Sequence, residues 1–404
     1  MKQILDKYAA FIRRRDVARL LFVALLSRMP VGMVGFAMLM YLREALGNFA
    51  LAGSAVGICF VAMAATAPVQ GRLVDLHGPR KLLCVTGVIQ PLALIGTLVS
   101  AKLGMSFAGV AGFAALAGIF ASPITTLTRT IWRHRFEREE DRRTAFALDA
   151  VAIELNFTLG PAVIAAVLAG AGATAAFAVA IGAVIFSVVV FVSSPSLSYF
   201  KREKHAGRHL LGPLTEPRLW LVFTTTFGLT LCFGLLEVGY PAYATALAMP
   251  AMGGVLLAIN SIGSVLGGAL YGGLHFKASV ERQYACALAL MVAPLMLHAV
   301  LLSYVVPFAI VAFLAGALIA PSIAAQSVLV SRLAPSRYAT EAFTWSSTFI
   351  VSGLGAGIAL GGALVESVGL RYAFLVGGAV VAAMSLLALT IPARASPAAA
   401  SPAE

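Results

Sequence analysis

Five ionisable side chains lie inside long apolar stretches of the sequence, where an uncompensated charge is energetically unfavourable. They are Arg28, Arg129, Asp149, Glu154 and Glu237. A charged side chain at membrane depth costs at least ~2.5 kcal/mol on insertion scales, so each of these residues is a functional candidate. Because a buried carboxylate can be neutralised by a proton or by a basic partner, Glu154, Asp149, Glu237 and Arg28 are candidates for proton coupling.

Composition places these charges in a lipid bilayer. The chain is 60% hydrophobic and 11% charged, with a mean hydropathy of +0.93. Its apolar runs reach about 20 residues, the length of a membrane-crossing helix, and lack the period-two alternation of a membrane β-barrel. The four cysteines lie inside these runs without metal-binding spacing, so no metal and no cofactor is expected.

Breaks at Gly, Pro and charge clusters divide the chain into twelve apolar segments, which predicts an all-α polytopic membrane protein. The segments fall near residues 17–43, 49–71, 81–101, 105–132, 144–169, 172–193, 218–246, 251–274, 283–303, 305–331, 339–367 and 371–392. The predicted domains are an amphipathic segment 1–16, a six-helix bundle 17–193, a cytoplasmic linker 194–217, a second six-helix bundle 218–392 and a disordered tail 393–404.

The distribution of basic residues predicts the topology. If the amino terminus is cytoplasmic, 24 of the 29 Lys and Arg residues lie in the termini and the even-numbered connections, and three lie outside. Both termini are therefore expected on the cytoplasmic side of a bacterial cytoplasmic (inner) membrane. The net charge of +12 reflects this orientation, and nucleic acid is not an expected partner.

An internal repeat relates the two halves of the sequence. A shift of 197 residues places Ala145-Phe146 on Ala342-Phe343 and Gly160 on Gly357. Because six segments separate the copies, both halves keep the same membrane orientation. Two bundles related by a pseudo-twofold axis along the membrane normal are expected, which suits a transporter that rocks around a central site.

The loop after the second segment contains a motif. Residues 71–81 read GRLVDLHGPRK, which resembles the G-x-L-x-D-x-x-G-x-R-[KR] signature of the major facilitator superfamily. The resemblance extends to helix number, repeat and loop lengths, and implies the fold of that family. It also implies that the aspartate and basic residues of this loop latch the two halves in the outward-facing state. Arg129 is added to this cytoplasmic gate because it is shallow and close to the loop. The predicted gate residues are Gly71, Asp75, Gly78, Arg80, Lys81 and Arg129.

A second motif lies in the fifth segment. Asn156-Phe157-Thr158-Leu159-Gly160-Pro161 is similar to the family's G-x-x-x-G-P antiporter motif, with Asn156 in place of the first glycine. The resemblance implies close helix packing and favours export, whereas ordinary packing is the alternative. The family's arginine in the outer half of the fourth segment is absent near 114–118, which weakens an assignment to the best-known drug:proton antiporters.

The family architecture makes the first and fifth helices neighbours, and this predicts an ion pair. At ~1.5 Å per residue, Arg28 lies ~18 Å and Glu154 ~15 Å from the cytoplasmic ends of their helices. We therefore predict that they pair near the midplane, with a permanent structural ion pair as the alternative to a proton site.

The remaining charges have several interpretations. Arg129 and Asp149 lie ~6–8 Å from the cytoplasmic ends, where Arg129 can pair with Asp149 or with Asp75 as an inner gate. Glu237 lies in the outer third of the membrane and is interpreted as a second protonation site, an outer gate residue or a wetted rim carboxylate.

Aromatic and amide side chains on the expected cavity helices are candidates for the substrate site, although such residues are more often packing. The candidates are Phe36, Tyr41, Tyr240, Asn260, Gln326 and Trp345.

No phosphate-binding loop or hydrolase motif occurs, so an enzyme is not expected and an ion gradient must drive transport. The leading hypothesis is a monomeric secondary active transporter in the lipid bilayer that exports a small organic molecule in exchange for protons. An uptake permease, proton-coupled or uniport, is the alternative within transport. A membrane receptor or lipid-handling protein without solute turnover is the alternative from another class.

Overall fold

A computed structural model describes residues 11, 13–136, 138–200, 212–274, 276–335 and 339–391. These residues are helical with short connections and contain no strand. The α-helices are α1 (Arg15–Leu46), α2 (Phe49–His77), α3 (Pro79–Lys102), α4 (Phe107–Ile119), α5 (Ile124–Arg135), α6 (Glu139–Ser193), α7 (Pro217–Ala246), α8 (Met252–Gly273), α9 (Val280–Val300), α10 (Val305–Gly316), α11 (Ile319–Leu333), α12 (Ala339–Ser367) and α13 (Leu370–Ala388). The predicted tail 393–404, most of the amphipathic segment 1–16 and the centre of the linker 194–217 lie outside the described residues.

Within these residues, 11 helices are long and apolar enough to cross a membrane. Residues Phe120–Pro123 are not α-helical and divide one of these spans into α4 and α5. A second interruption of the helix after Gly316 divides another span into α10 and α11. Their outward faces are apolar, as on α3, where Val85, Val88 and Leu92 are exposed. Exposed aliphatic side chains in such rows are those expected of helices in contact with lipid.

The longest helix, α6, reverses direction at Gly172. This glycine has a φ of 83°, outside the helical range. Asn156, before the reversal, packs against Gly32 of α1, whereas Phe177 and Ser187, after it, contact Tyr41 and Ser27. Asp149 also contacts Arg28. The contacts therefore move from Arg28 to Gly32 of α1 before Gly172, and from Tyr41 back to Ser27 after it. The predicted division between segments 144–169 and 172–193 falls at this reversal.

Basic residues gather at one end of the bundle, where α1 and α3 begin and α5 ends: Arg13, Arg14, Arg15, Arg80, Lys81, Arg133 and Arg135. At this end Arg135 of α5 pairs with Asp16 of α1, and Arg14 pairs with Asp141 of α6 at 3.4 Å. We call this the basic end. The α2 to α3 junction, where Gly78 with a φ of 86° ends α2 and Pro79 begins α3, also lies there. Val74 and Leu83 on its two sides belong to one buried cluster with Phe11 and Phe136.

Close helix contacts recur in the two halves of the chain. Gly160 meets Gly32 in the first half, and Gly357 meets Gly234 in the second. Likewise Gly118 lies on the carbonyl of Cys59, and Gly316 on that of Asn260. Gly160 and Gly357 are 197 residues apart, Gly118 and Gly316 are 198 apart, and Gly32 and Gly234 are 202 apart, so equivalent glycines make equivalent contacts, as expected of a repeat.

Two helix pairs join the first half to the second. On the α2 to α12 side, Gly53 and Gly57 face Ile358 and Gly355, and the backbone nitrogen of Phe49 donates to Glu366 Oε2 at 3.1 Å. A groove of about 520 Å³ lies alongside this crossing, lined by apolar residues of both helices. These contacts lie in the halves of α2 and α12 that are remote from the basic end.

The second pair is α6 and α8. Gly254 of α8 packs against Pro161 and Ala165 of α6 and against Phe36 of α1. Nearer the middle, the Ser261 hydroxyl donates to the Phe157 carbonyl at 3.1 Å. The two halves therefore meet in the middle of the molecule and at the end opposite the basic end.

Candidate functional site

Asp149 is the centre of a buried cluster on α1, α5 and α6. Its Oδ1 lies 2.7 Å from Arg28 Nη1 and accepts a hydrogen bond from Trp132 Nε1 at 3.1 Å. Its Oδ2 lies 3.5 Å from Arg129 Nε. Arg28 and Asp149 are 1% and 2% exposed, whereas Arg129 is 53% exposed. One carboxylate thus binds two guanidinium groups, one inside the bundle and one at its surface.

This arrangement corrects the prediction that Arg28 pairs with Glu154. Arg28 pairs with Asp149, and its Nη2 donates to the Thr125 carbonyl at 3.4 Å. Asp149 precedes Glu154 by five residues, so the two carboxylates point about 140° apart around the α6 axis. The other proposed pair, Arg129 with Asp149, is present.

Glu154 instead faces the second half of the chain. Its carboxyl is half-buried and interacts with the Ser264 hydroxyl of α8, although the geometry falls short of a standard hydrogen bond. Among the described residues, no basic group lies within 4.0 Å of Glu154. Glu154 therefore lies at the contact between the two halves, one helical turn from the bond between Ser261 and Phe157.

Glu237 is also half-buried, on α7, one turn before Tyr240. Tyr240 belongs to a buried polar chain in which its hydroxyl lies 3.3 Å from His298 Nε2 and accepts from Asn260 Nδ2 at 3.4 Å. His298 Nδ1 lies 2.7 Å from the Pro294 carbonyl, so Nδ1 carries the proton and Nε2 accepts from tyrosine. This chain connects α7, α8 and α9 beside the second acidic candidate.

The motif loop is described only in part. Gly78 has the positive φ that ends α2, and Arg80 and Lys81 are exposed. A side chain on Gly71 would meet no neighbouring atom, so packing does not require glycine there. The Asp75 side chain lies outside the described residues, and the latch stays a prediction.

The Asn156, Gly160 and Pro161 motif lies on two contacts. Gly160 and the Asn156 carbonyl pack against Gly32 of α1, and the Pro161 carbonyl packs against Gly254 of α8. The Asn156 amide is buried, and neither its oxygen nor its nitrogen has a hydrogen-bond partner among the described residues. The motif thus joins α6 to its own half and to the other half.

Three of the predicted cavity residues are buried within their own half. Tyr41 donates to the Leu98 carbonyl at 2.7 Å, Tyr240 is in the histidine chain, and Gln326 donates to Ser346 Oγ at 2.8 Å. Each is at most 4% exposed. None of the three faces an open cavity in this structure, because residue type does not reveal the rotation of a helix.

The other three predicted cavity residues, Phe36, Trp345 and Asn260, differ from one another in their surroundings. Phe36 packs against Gly254 at the contact between the halves, and Trp345 is half-buried beside Phe349 on α12. Asn260 is 9% exposed and bonds Tyr240 and the Ala312 carbonyl.

Helix α5 has a polar face that was not predicted from the sequence. Thr126, Arg129 and Arg133 are exposed on one side of this helix, whereas Leu127, Ile131 and Trp132 on the other side are buried. The spacing of three and four residues was the signal that could have revealed it. Such a face is suited to water and not to lipid tails, and it lies near the basic end.

The described side chains contain no group of three His, Cys, Asp or Glu residues that could hold a metal ion. The chemistry that they offer is proton binding at carboxylates and ion pairing at guanidinium groups.

Comparison with known protein families gives one match. The family model described as Major Facilitator Superfamily matches residues 20–306, which is more than half of the chain. No curated protein sequence matches the chain.

Solved structures of similar fold include transporters of low sequence identity. A crystal structure of a mutant of the nucleoside transporter NupG is 13% identical, with a TM-score of 0.73, over 93% of this chain and 99% of that one. A POT family transporter in complex with a thioalcohol-conjugated peptide is 12% identical, with a TM-score of 0.71, over 93% and 95% of the two chains. A POT family transporter in complex with 5-aminolevulinic acid is 13% identical, with the same TM-score and coverage.

Proposed function

Because the chain belongs to the major facilitator superfamily and is a membrane transporter of that type, we propose that it exports a small organic molecule in exchange for protons by alternating access. The proposed transporter is a monomer with twelve membrane-spanning segments. The reversal of α6 at Gly172 supports the twelfth span, and the repeated glycine contacts support two six-helix bundles at 17–193 and 218–392 related by a pseudo-twofold axis. The distribution of Lys and Arg supports a cytoplasmic basic end and cytoplasmic termini in a bacterial inner membrane.

One observation supports alternating access above the others. The halves meet in the middle and at the end opposite the basic end, whereas the polar face of α5 is exposed near the basic end. A central space closed at one end and open at the other is one of the two states that a rocking transporter needs. With the basic end in the cytoplasm, this state is inward-facing.

Glu154 supports proton coupling through its position between the halves. An ionised carboxylate there has no described basic partner, and Asp149 already neutralises Arg28, so a proton is the remaining way to neutralise Glu154. When α6 and α8 separate, the carboxyl reaches water and can release the proton. Glu237 on α7 is the second candidate for the same role.

Export is proposed because the Gly160 and Pro161 motif makes the close contact with α1 that its family resemblance implies. Transport assays in right-side-out and inverted vesicles distinguish export from uptake. The molecule to assay can be found by comparing a deletion strain with an overexpressing strain across a chemically diverse compound panel.

We expect a cysteine at Thr126 to be labelled by a membrane-impermeant thiol reagent in inverted vesicles and not in intact cells. Thr126 is exposed on the polar face of α5, roughly 14 Å from its basic end, and an aqueous space open to the cytoplasm would admit the reagent. The measurement uses a variant in which Cys59, Cys84, Cys232 and Cys286 are replaced.

The matched control is Val88→Cys on α3. Val88 is equally far from the basic end and 59% exposed, but on an apolar face that contacts lipid, so it should stay unlabelled in both preparations. Equal labelling of the two cysteines would refute an aqueous space at α5. Labelling of Thr126→Cys in intact cells alone would reverse the proposed orientation.

A further inference from the structure

The cluster around Asp149 has one more positive charge than negative charges. Its carboxylate contacts Arg28, Arg129 and the uncharged Trp132 indole. No other described carboxylate lies within 4.0 Å of either arginine. The three ionised groups therefore carry a net charge of one positive unit at the boundary between the bundle core and the exposed face of α5.

The surplus charge belongs to Arg129. The 2.7 Å contact between Asp149 and Arg28 is a buried ion pair, whereas Arg129 is held only through Nε at 3.5 Å. A buried pair interacts more strongly than a pair reached by water. Asp149 therefore neutralises Arg28, and Arg129 keeps most of its charge on its terminal nitrogens, which have no described partner.

The position of Arg129 suits a binding group more than a structural group. It lies on the exposed face of α5 beside Thr126, in the aqueous space that the proposed transport cycle would open. Asp149 fixes one edge of the guanidinium, and Trp132 and Arg28 in turn fix Asp149. A guanidinium with one edge anchored and its terminal N–H groups facing water is pre-organised for a planar oxyanion such as a carboxylate, or for a phosphate or sulfonate.

We propose that Arg129 binds the anionic group of the transported molecule, which is therefore a small organic anion bearing a carboxylate, phosphate or sulfonate. This inference rests on the proposed transport function. A cationic substrate would meet the surplus charge of Arg129, and Asp149 is screened from it by two guanidinium groups. Arg28 lies inside the bundle and is a positioning residue that keeps Asp149 in place.

The test measures binding without transport. The thermal unfolding midpoint of the detergent-purified full chain is recorded with matched probes that differ in charge: benzoate and benzamide, phenyl phosphate and phenol, benzenesulfonate and benzenesulfonamide, and benzylammonium. A ligand that binds the folded state raises the midpoint as its concentration rises. We expect at least one anion to stabilise the wild-type protein, while its neutral partner and benzylammonium do not.

Two variants locate the site. Arg129→Gln should weaken binding of that anion by at least ~10-fold, the usual consequence of losing a charged hydrogen bond. Arg133→Gln removes a second exposed charge one turn further along α5. It should change affinity by ~3-fold at most, because a charge ~6 Å away in water contributes less than ~1 kcal/mol. Any of three results would overturn the proposal. They are equal losses of affinity in both variants, stabilisation by benzylammonium or the neutral probes alone, and no stabilisation by any anion. Each of these results leaves the labelling of Thr126→Cys unaffected, so failure here is distinct from failure of alternating access.

Discussion

Asp149→Asn should abolish most of the folded, membrane-inserted protein. The substitution removes the only described carboxylate at Arg28, whose side chain is 1% exposed, and strands that guanidinium in the bundle. Removing one partner of a buried ion pair costs about 3–5 kcal/mol, because the charge that remains is uncompensated. Yield in the membrane fraction and the thermal unfolding midpoint in detergent measure the loss.

Two further variants separate this explanation from general damage to α6. The double variant Arg28→Gln with Asp149→Asn removes both buried charges and should recover most of the yield, since Arg129 reaches water. Asp141→Asn removes a carboxylate of the same helix that is 36% exposed and pairs with Arg14, and should cost at most about 1 kcal/mol. If the double variant is as unstable as Asp149→Asn, an uncompensated Arg28 is not the cause.

Glu154→Gln should express normally and lose gradient-driven transport completely. Glutamine keeps the shape and can still meet Ser264, but it cannot carry a proton. No basic residue is stranded, because Arg28 is bound by Asp149. The measurement is accumulation of a transported compound in inverted vesicles with and without a pH gradient, together with exchange of labelled for unlabelled compound, which should persist.

The control for Glu154 is the other half-buried acid. Glu237→Gln should retain a pH-dependent component if Glu154 is the coupling group. Uphill, pH-dependent transport by Glu154→Gln would instead show that coupling resides elsewhere, and Glu237 would be the next residue to test.

Several features could be predicted from the sequence because they depend on local chemistry. Long apolar runs specify helices, Gly172 allows the reversal between two segments, and Gly78 takes the positive φ that ends α2. The buried charges were also identified, because any charge in an apolar run is conspicuous. These features need no knowledge of how helices are rotated or tilted.

The partners of those charges could not be predicted for a physical reason. Counting residues gives depth, and by depth Arg28 matches Glu154, but partner choice also depends on rotation about the helix axis. The crossing of α1 and α6 at Gly32 and Gly160 turns Asp149 towards Arg28 and Glu154 towards Ser264. Because helix rotation was unknown, Tyr41 and Gln326 were predicted to line the cavity. Their side chains instead form hydrogen bonds within their own halves of the chain.

The most direct test of alternating access is a pair of distances measured at both ends of the molecule. Spin labels in the cysteine-free protein are placed at Ala45 and Val368, exposed at the end opposite the basic end, and in a second variant at Leu76 and Phe343, exposed at the basic end. In proteoliposomes at low and high pH, we expect two populations for each pair, with the distance at one end lengthening as the distance at the other end shortens.

A glycine substitution should shift the equilibrium between the two states towards the state that is open at the end opposite the basic end. A side chain at Gly57 would meet the Gly355 carbonyl at 2.6 Å, so Gly57→Ala should disfavour closure there and populate the state that is open at the end opposite the basic end. Gly112→Ala, where the added carbon meets nothing, should leave both distances unchanged. A single fixed distance at each end under every condition, or distances that lengthen together, would contradict alternating access.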